Sequence, residues 1–492
     1  METLLLTAVI IILTIFLWWF NRTDPRLPPY PKRPLPIVGH YFDIKQDYRS
    51  QFKQWRKQCG DLFRFNIFGT HVVVLNGYDV IKEALVKKAD AFSDRTPVFL
   101  DAATDLPAKG IMFASGHLWK EQRSVALSIL RKFGMGKNIL AEKIQEEVSA
   151  YVSYLADLKG KPTDIRYITN VSTSNVICSI IIGNRFEYDD KEFQSMMVHL
   201  NSTASDQQWI DIINFLPWLQ YLPGDLFNAK KIINNVKTYF GMLKRFVREK
   251  KANAVDSIDP ENFIEAYLSN KNKKVDGVVS TNMNDDNLSK IIIDLFAAGT
   301  ETTSNTIYWC VLYMLNYPEI QDKVYREIKD IIGTDRIPNI QDRSKLPYFN
   351  AVILETQRLA SIVPLAVPHI CSEEVTLKNY TIPKGTYIVP NIDSVLHDKA
   401  IWGEDVMSFK PNRFLDASGK VQDREELIPF GIGRRVCLGE ALANVELFLF
   451  LSNMFQRFQF LPKDKTPPVC NKARLGLVSS PILYEVRLVD RK

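Results

Sequence analysis

Residues 430–439 read FGIGRRVCLG, a single cysteine among three glycines and two arginines. An ordinary buried cysteine behaves as a small hydrophobe, which would leave this setting unexplained. Glycines let a backbone turn tightly and approach a ligand closely, and arginines beside a thiol favour the thiolate, the form that ligates metal. The stretch therefore reads as a metal-ligand loop centred on Cys437.

A second group of reactive side chains lies in LSKIIIDLFAAGTETTSNTIYWCVLYMLNY, residues 288–317. The run is apolar on nearly all sides, follows the cap-like NDDN and stops at Pro318, so it predicts a long helix buried by everything around it. Gly299, Thr300, Thr302 and Thr303 are poor helix-interior residues, and threonine hydroxyls bond back to the preceding turn, so a local loosening of the ladder is expected. Buried threonines more commonly just pack. Glu301 changes the balance, because an acid inside an apolar helix is costly unless it has a partner or a proton to move. Farther on, Glu355 and Arg358 stand three apart on one helical face among apolar neighbours; a buried pair needs further partners, and Arg413 in FKPNRF is the candidate. Trp119 and Arg123, at i and i+4, could grip a carboxylate or phosphate, or form a plain cation–π surface pair.

Positioning these groups requires a large core. The chain has 492 residues, 46% of them hydrophobic, with no long linker through the middle, which favours one large helical domain over a string of modules. Net charge is +6 with both signs mixed along the chain, so a nucleic-acid partner is not indicated. The polar run 271–287 reads as a surface loop. The six cysteines form no C-x-x-C pair, which argues against a zinc cluster or disulfide framework and suits a reducing compartment.

The N-terminus predicts a membrane anchor. Eighteen residues from Thr3 to Phe20 carry no charge, and as a helix they would span about 27 Å, close to the hydrocarbon core of a bilayer. A cleaved signal peptide is the rival, but Trp18, Trp19 and Phe20 occupy the place where small cleavage-site residues are needed. Arg22, Arg26, Lys32 and Arg33 after the span place the remainder on the cytosolic side. Three regions result: an anchor helix over 1–21, a proline-rich, semi-rigid stalk over 22–39 and a catalytic domain over 40–492. FLPWLQYLPGDLF (215–227) reads equally well as a buried connection or a membrane-dipping segment.

Together these pieces resemble the cytochrome P450 superfamily of haem-thiolate monooxygenases, over essentially the whole chain and in the expected order. The loop matches F-x-x-G-x-R-x-C-x-G at Phe430, Gly433, Arg435, Cys437 and Gly439. The resemblance implies a mainly α fold with a smaller β-sheet region (α+β), a long central helix over the haem, and an N-terminal transmembrane anchor. It further implies haem b with Cys437 as axial thiolate, and a cysteine ligand in this family is known to favour O–O cleavage. Thr302 and Glu301 would manage protons, Glu355 and Arg358 would be the family's E-x-x-R pair locked to Arg413, and Arg95, Trp119, Arg123, His369 and Arg435 would hold the propionates. Asn412 stands where the family often has an acid, and Ser124 where the microsomal group commonly has a second arginine.

GIMFASGHLWKEQR, LRKFGMGK and FLPWLQYLPG are similar to the microsomal group that oxidises drugs, steroids and fatty acids, which does not fix one substrate. The expectation is an enzyme of the cytosolic face of the endoplasmic reticulum membrane, taking NADPH electrons through a flavoprotein reductase, with cytochrome b5 as a second candidate donor, and putting one atom of dioxygen into a lipophilic small molecule. Lys120, Arg131, Lys132 and Arg434 are candidate docking residues, or ordinary solvated charge. The substrate pocket is expected around Val98 to Phe113, Ile293, Ala297, Ala298, Ile362 to Val367, Leu477 and Val478. A haem-thiolate isomerase or dehydratase acting on lipid peroxides, which tends to lack the acid–threonine pair, and a non-catalytic haem-binding sensor are the rival readings.

Overall fold

Leu62–Ile67 (β1) and Thr70–Leu75 (β2) form an antiparallel hairpin whose two turn residues, Phe68 and Gly69, have φ of 48° and 86°. A two-residue turn with both φ positive matches the right-handed twist of the strands it joins. The computed structural model describes residues 24–45, 47–133, 138–205, 207–253, 260–271, 274–275, 278–279 and 282–491. The anchor helix expected over 1–21 lies outside the described residues, as do the first two residues of the stalk. No helix among the described residues is long and apolar enough to cross a membrane.

The hairpin is extended by β3 (Asp94–Arg95), β4 (His369–Ile370) and β5 (Tyr387–Pro390) in the spatial order β1-β2-β5-β4-β3. β2 and β5 run parallel, while β5–β4 and β4–β3 are antiparallel. The register places Arg95 directly opposite His369. Two site candidates from distant parts of the chain thus become cross-strand neighbours. The stalk is tied to β1 by Arg64 N–H donating to Pro29 O (3.0 Å), to the separate hairpin Val375–Ile382 by Thr381 N–H donating to Arg26 O (2.7 Å), and to His40, whose Nε2 donates to Lys32 O (2.8 Å).

Helices make up most of the rest, as expected. Those that matter for the site are α1 (Gly116–Lys132), α2 (Asn138–Asp157), α3 (Arg166–Ile181), α4 (Asp285–Asn316), α5 (Pro347–Ala360) and α6 (Glu440–Arg457). The predicted central helix is α4, and it begins three residues earlier than its apolar run. Asn284 caps it by accepting from Asn287 N–H (3.0 Å), with Asp285 and Asp286 in the first turn, where the helix dipole favours negative charge.

The expected loosening at Gly299–Thr303 is absent: α4 is continuously α-helical through this segment. Thr300 and Thr302 hydroxyls donate to the Phe296 and Ala298 carbonyls, both at 2.7 Å, and share those oxygens without displacing the ladder. Gly299 answers to packing, since a Cβ there would lie 2.5 Å from Ile177 Cδ1 on α3.

Residues 215–227 form two short 3₁₀ turns in which Leu219 is buried while Trp218, Tyr221 and Leu226 are 57%, 80% and 68% exposed. A fully buried connection is thereby excluded. The polar run 271–287 contains a two-strand hairpin, Lys274–Val275 with Val278–Val279, before α4 starts.

Candidate active site

One cavity of about 560 Å³ occupies the interior between α4 and the cysteine loop. Its wall includes all eight residues singled out for chemistry or cofactor binding: Arg95, Trp119, Arg123, Glu301, Thr302, His369, Arg435 and Cys437. Of the pocket segments expected from sequence, Leu100, Ile111, Phe113, Ile293, Ala297 and Val363 are among those that line it.

The cysteine loop is held by close approaches. Cys437 N–H donates to Phe430 O at 3.0 Å and closes the turn. Gly433 has φ of 79°, and a Cβ there would lie 2.1 Å from Leu85 O, so only glycine fits against the π-helical turn Glu83–Lys87. The Cys437 side chain is exposed, and the surface it presents faces the cavity. Burial raises its pKa; the Gly439 and Glu440 N–H groups and the Arg123 guanidinium act in the opposite direction.

The two arginines of the loop itself do not act as the sequence suggests. Arg434 turns outward and pairs with Asp90 (Nη2–Oδ2 3.0 Å). Arg435 donates to the carbonyls of Ser93 (2.7 Å), Ile111 (3.1 Å) and Ala114 (2.6 Å), with its guanidinium 3.8 Å from the centre of the Trp119 ring. The cation near the thiol is Arg123 on α1, whose Nη2 donates to Val436 O at 2.6 Å. Side-chain direction, which spacing in a loop does not reveal, accounts for the difference. The aromatic partner of Trp119 is likewise Arg435 rather than Arg123.

Arg95, Arg123, Arg435 and His369 form a buried basic cluster. Arg95 Nη1 donates to Val367 O (2.5 Å), and His369 Nδ1 donates to Phe92 O (2.6 Å), which fixes the tautomer and leaves Nε2 free of the proton. Burial, with repulsion from Arg123, presses Arg95 down to about 9; burial, Arg95 and Arg123 press Arg435 down to about 8, and Asp94 offsets only part of this. Burial and Arg95 hold His369 well below the usual histidine range. Arg95 Nε and Trp119 Nε1 are buried without a hydrogen-bond partner among the described residues. Such a cluster calls for anionic acceptors from outside the chain. Two carboxylates at one edge of a flat, apolar prosthetic group beside a thiol meet that demand, so the residues fit haem.

On the opposite wall, Thr302 Oγ1 commits its hydrogen to Ala298 O and presents lone pairs to the cavity. Burial raises the Glu301 carboxyl, partly offset by Arg166 and Arg474. Sequence reasoning missed a buried triad: Lys290 Nζ lies 2.9 Å from Asp101 Oδ1 and 3.1 Å from Asp294 Oδ1, while Asp294 Oδ2 accepts from Ile111 and Met112 N–H at 2.8 and 2.9 Å. The triad fastens the segment before α1 to α4. Its signal was available in principle, as two opposite charges at i and i+4 in an otherwise apolar helix.

Away from the cavity, Glu355 and Arg358 are fully buried and doubly bonded (2.7 and 2.9 Å), and Arg413 Nε stands 3.4 Å from Glu355 Oε1, as the sequence suggested. On the outer face beneath the loop, Lys120 and Arg434 border a groove with Asp90, Trp119, Arg123 and Ser124.

Comparison with known proteins gives a consistent result. The family model described as Cytochrome P450 matches residues 28–488. A Bos taurus protein named Cytochrome P450 2U1 is 37% identical, over 97% of this chain and 92% of its own length. A Rattus norvegicus protein of the same name is 38% identical over 99% and 95%, and the Mus musculus Cytochrome P450 2C29 is 36% identical over 96% of each.

Proposed function

The chain belongs to the cytochrome P450 family, a haem-thiolate monooxygenase of lipophilic compounds, and from that premise we propose how its residues divide the work. Cys437 would ligate the haem iron, and Arg95, Trp119, Arg123, His369 and Arg435 would hold the two haem propionates. Bound there, haem supplies reductive activation of dioxygen with electrons that originate in NADPH, so that one oxygen atom enters the substrate and the other leaves as water. The observation that carries this reading is the convergence of all eight residues around one cavity.

Glu301 is the proton source, its carboxyl held toward the neutral form by burial. Thr302 Oγ1, with its own hydrogen on Ala298 O, accepts a hydrogen bond from a proton-bearing group in the cavity and so holds it near Glu301. In the NADPH-driven reaction with a reductase, Thr302→Ala is expected to lower product formed per NADPH by about tenfold, about 1.4 kcal/mol, with hydrogen peroxide accounting for the difference. An unchanged ratio would remove Thr302 from this role. The acid–threonine pair also favours oxygen insertion over the peroxide-rearranging alternative.

For the partner we propose an NADPH-dependent flavoprotein reductase, docked through Lys120 and Arg434 at the groove and through Arg131 and Lys132 in the last turn of α1; cytochrome b5 is a second candidate partner. All four residues are exposed. Reversing Lys120 and Arg434 to glutamate is expected to slow electron transfer by about tenfold at low salt and to flatten its salt dependence. A rate and salt slope equal to the parent's would place docking elsewhere.

The anchor over residues 1–21, the division of the chain at 22–39 and 40–492, and residence in the endoplasmic reticulum membrane with the catalytic domain on the cytosolic face belong to the same proposal. Exposed Trp218, Tyr221 and Leu226 support it. Phe215, just before them, packs on the sheet cluster against Tyr387, and Tyr41, in contact with exposed Phe42, packs on the same cluster, which supports a reading in which this side of the molecule rests on lipid. Vesicle flotation with these three residues changed to glutamate reads that contact directly.

A further inference from the structure

Tyr239, on the helix Ala229–Asn253, lines the cavity and is 3% exposed, yet its hydroxyl has no hydrogen-bond partner among the described residues. A buried phenol normally finds an acceptor, because losing water without a replacement is costly. The rings of Phe240 and of Phe296 on α4, at 5.3 and 5.9 Å between centres, hold the phenol ring in place. Burial, with Cys178 and Asp294 acting in the same direction, keeps the hydroxyl protonated, so it is a donor.

The other polar side chains on this part of the wall are spent. Lys290 Nζ is paired with Asp101 and Asp294, and lies 5.5 and 5.9 Å from the centres of the Phe113 and Phe240 rings. Asp101 Oδ2 accepts from Ala108 N–H at 2.6 Å, and Asp294 Oδ2 from the Ile111 and Met112 N–H groups. Thr104 Oγ1 donates to Asp101 O at 2.7 Å and accepts from Leu106 N–H at 3.1 Å. Two carboxylates against one ammonium leave this group net negative, so it repels a carboxylate brought into the cavity. A ligand ammonium fares no better, since each carboxylate oxygen is already engaged. What remains is one donor on an apolar wall, and a neutral oxygen satisfies it.

We propose that Tyr239 determines substrate choice by donating a hydrogen bond to a neutral oxygen, a carbonyl or a hydroxyl, carried by an otherwise lipophilic substrate. The inference rests on the monooxygenase reading of this cavity. Phe296, against which Tyr239 packs, precedes Thr302 by six residues, about 9 Å along the helix. An oxygen held beside it is thereby kept apart from the carbon being oxidised.

The test titrates the ferric holoenzyme with decan-2-one, decane and decanoate, chains of equal carbon number, and reads the Soret shift each produces in the parent and in Tyr239→Phe. In the parent the ketone is expected to bind about tenfold tighter than the alkane, and tighter than the carboxylate. Tyr239→Phe, which keeps the ring between Phe240 and Phe296, should bring the ketone down to the level of the alkane and leave the alkane unchanged. Equal affinity of the parent for ketone and alkane, a carboxylate bound as tightly as the ketone, or a loss in Tyr239→Phe shared alike by ketone and alkane overturns the proposal. Turnover with reductase and NADPH separates the levels. If no probe shifts the Soret band or is oxidised, the monooxygenase reading of the cavity falls and this inference with it; if both proteins oxidise the ketone and prefer it equally over the alkane, this inference alone falls.

Discussion

Replacing Cys437 by alanine is expected to remove the strongly red-shifted Soret band of the reduced, carbon-monoxide-bound protein and to lower monooxygenase turnover by roughly 10³-fold or more, about 4 kcal/mol. Cys437 is the cysteine on the cavity wall; Cys178, Cys310 and Cys371 are buried in packing, and Cys59 and Cys470 lie apart from the cavity. Among the described residues, no group of three or more His, Cys, Asp or Glu side chains could hold a metal ion by itself. In the proposed assignment a single thiolate is the protein's ligand to the iron, and the spectrum of the variant reads that assignment directly.

The same substitution leaves the basic cluster untouched. Arg95, Arg123, Arg435 and His369 are held by backbone carbonyls rather than by Cys437, so the variant should still bind haem, more weakly and with an unshifted spectrum. Two separate readouts follow, one for propionate binding and one for ligation. An unshifted band in the parent itself would give the iron to a nitrogen ligand. His369 Nε2 is the imidazole nitrogen on the same wall, and that result would overturn the assignment of Cys437.

How far the sequence disclosed this site depends on what each residue needed in order to be found. Cys437, Glu301 and Thr302 were legible because a polar or reactive group in a glycine-rich or apolar run is costly without a function. The Glu355–Arg358 pair and its third member Arg413 were legible because a buried pair requires more partners. Proximity of Arg95 to His369 was not, since it comes from the register of β3 on β4, and two-residue strands carry no periodic signal. That Arg434 and Arg435 turn away from the thiol they flank was not legible, because side-chain direction in a turn depends on Leu85, Asp90 and Ser93, far away in sequence.

Glu355→Ala is expected to act on the other half of the problem, folding rather than chemistry. Both Glu355 and Arg358 have no exposed side-chain surface. Arg358 also donates to Leu396 O and Val406 O, each at 2.8 Å, Lys410 N–H donates to Glu355 Oε1 at 2.9 Å, and Arg413 Nη2 donates to Asp405 O at 2.6 Å. The pair thus pins residues 396–413, the run that leads to the cysteine loop, onto α5. Removing the carboxylate leaves a buried guanidinium without its counter-charge, which costs about 3–5 kcal/mol. That is a large part of a stability of about 5–15 kcal/mol. Urea denaturation should show the midpoint falling accordingly, and folded haemoprotein should accumulate poorly. Arg413→Ala should cost less, because Arg413 is partly exposed and shares Asp405 as a second partner. Glu355 does not line the cavity, so each Glu355→Ala molecule that folds should keep the red-shifted band, the reverse of the outcome expected for Cys437→Ala, which should fold and lose it. A Glu355→Ala protein of parental stability would mean that Arg358 is satisfied by the Leu396 and Val406 carbonyls alone, and that the ion pair is not what holds the run before the cysteine loop.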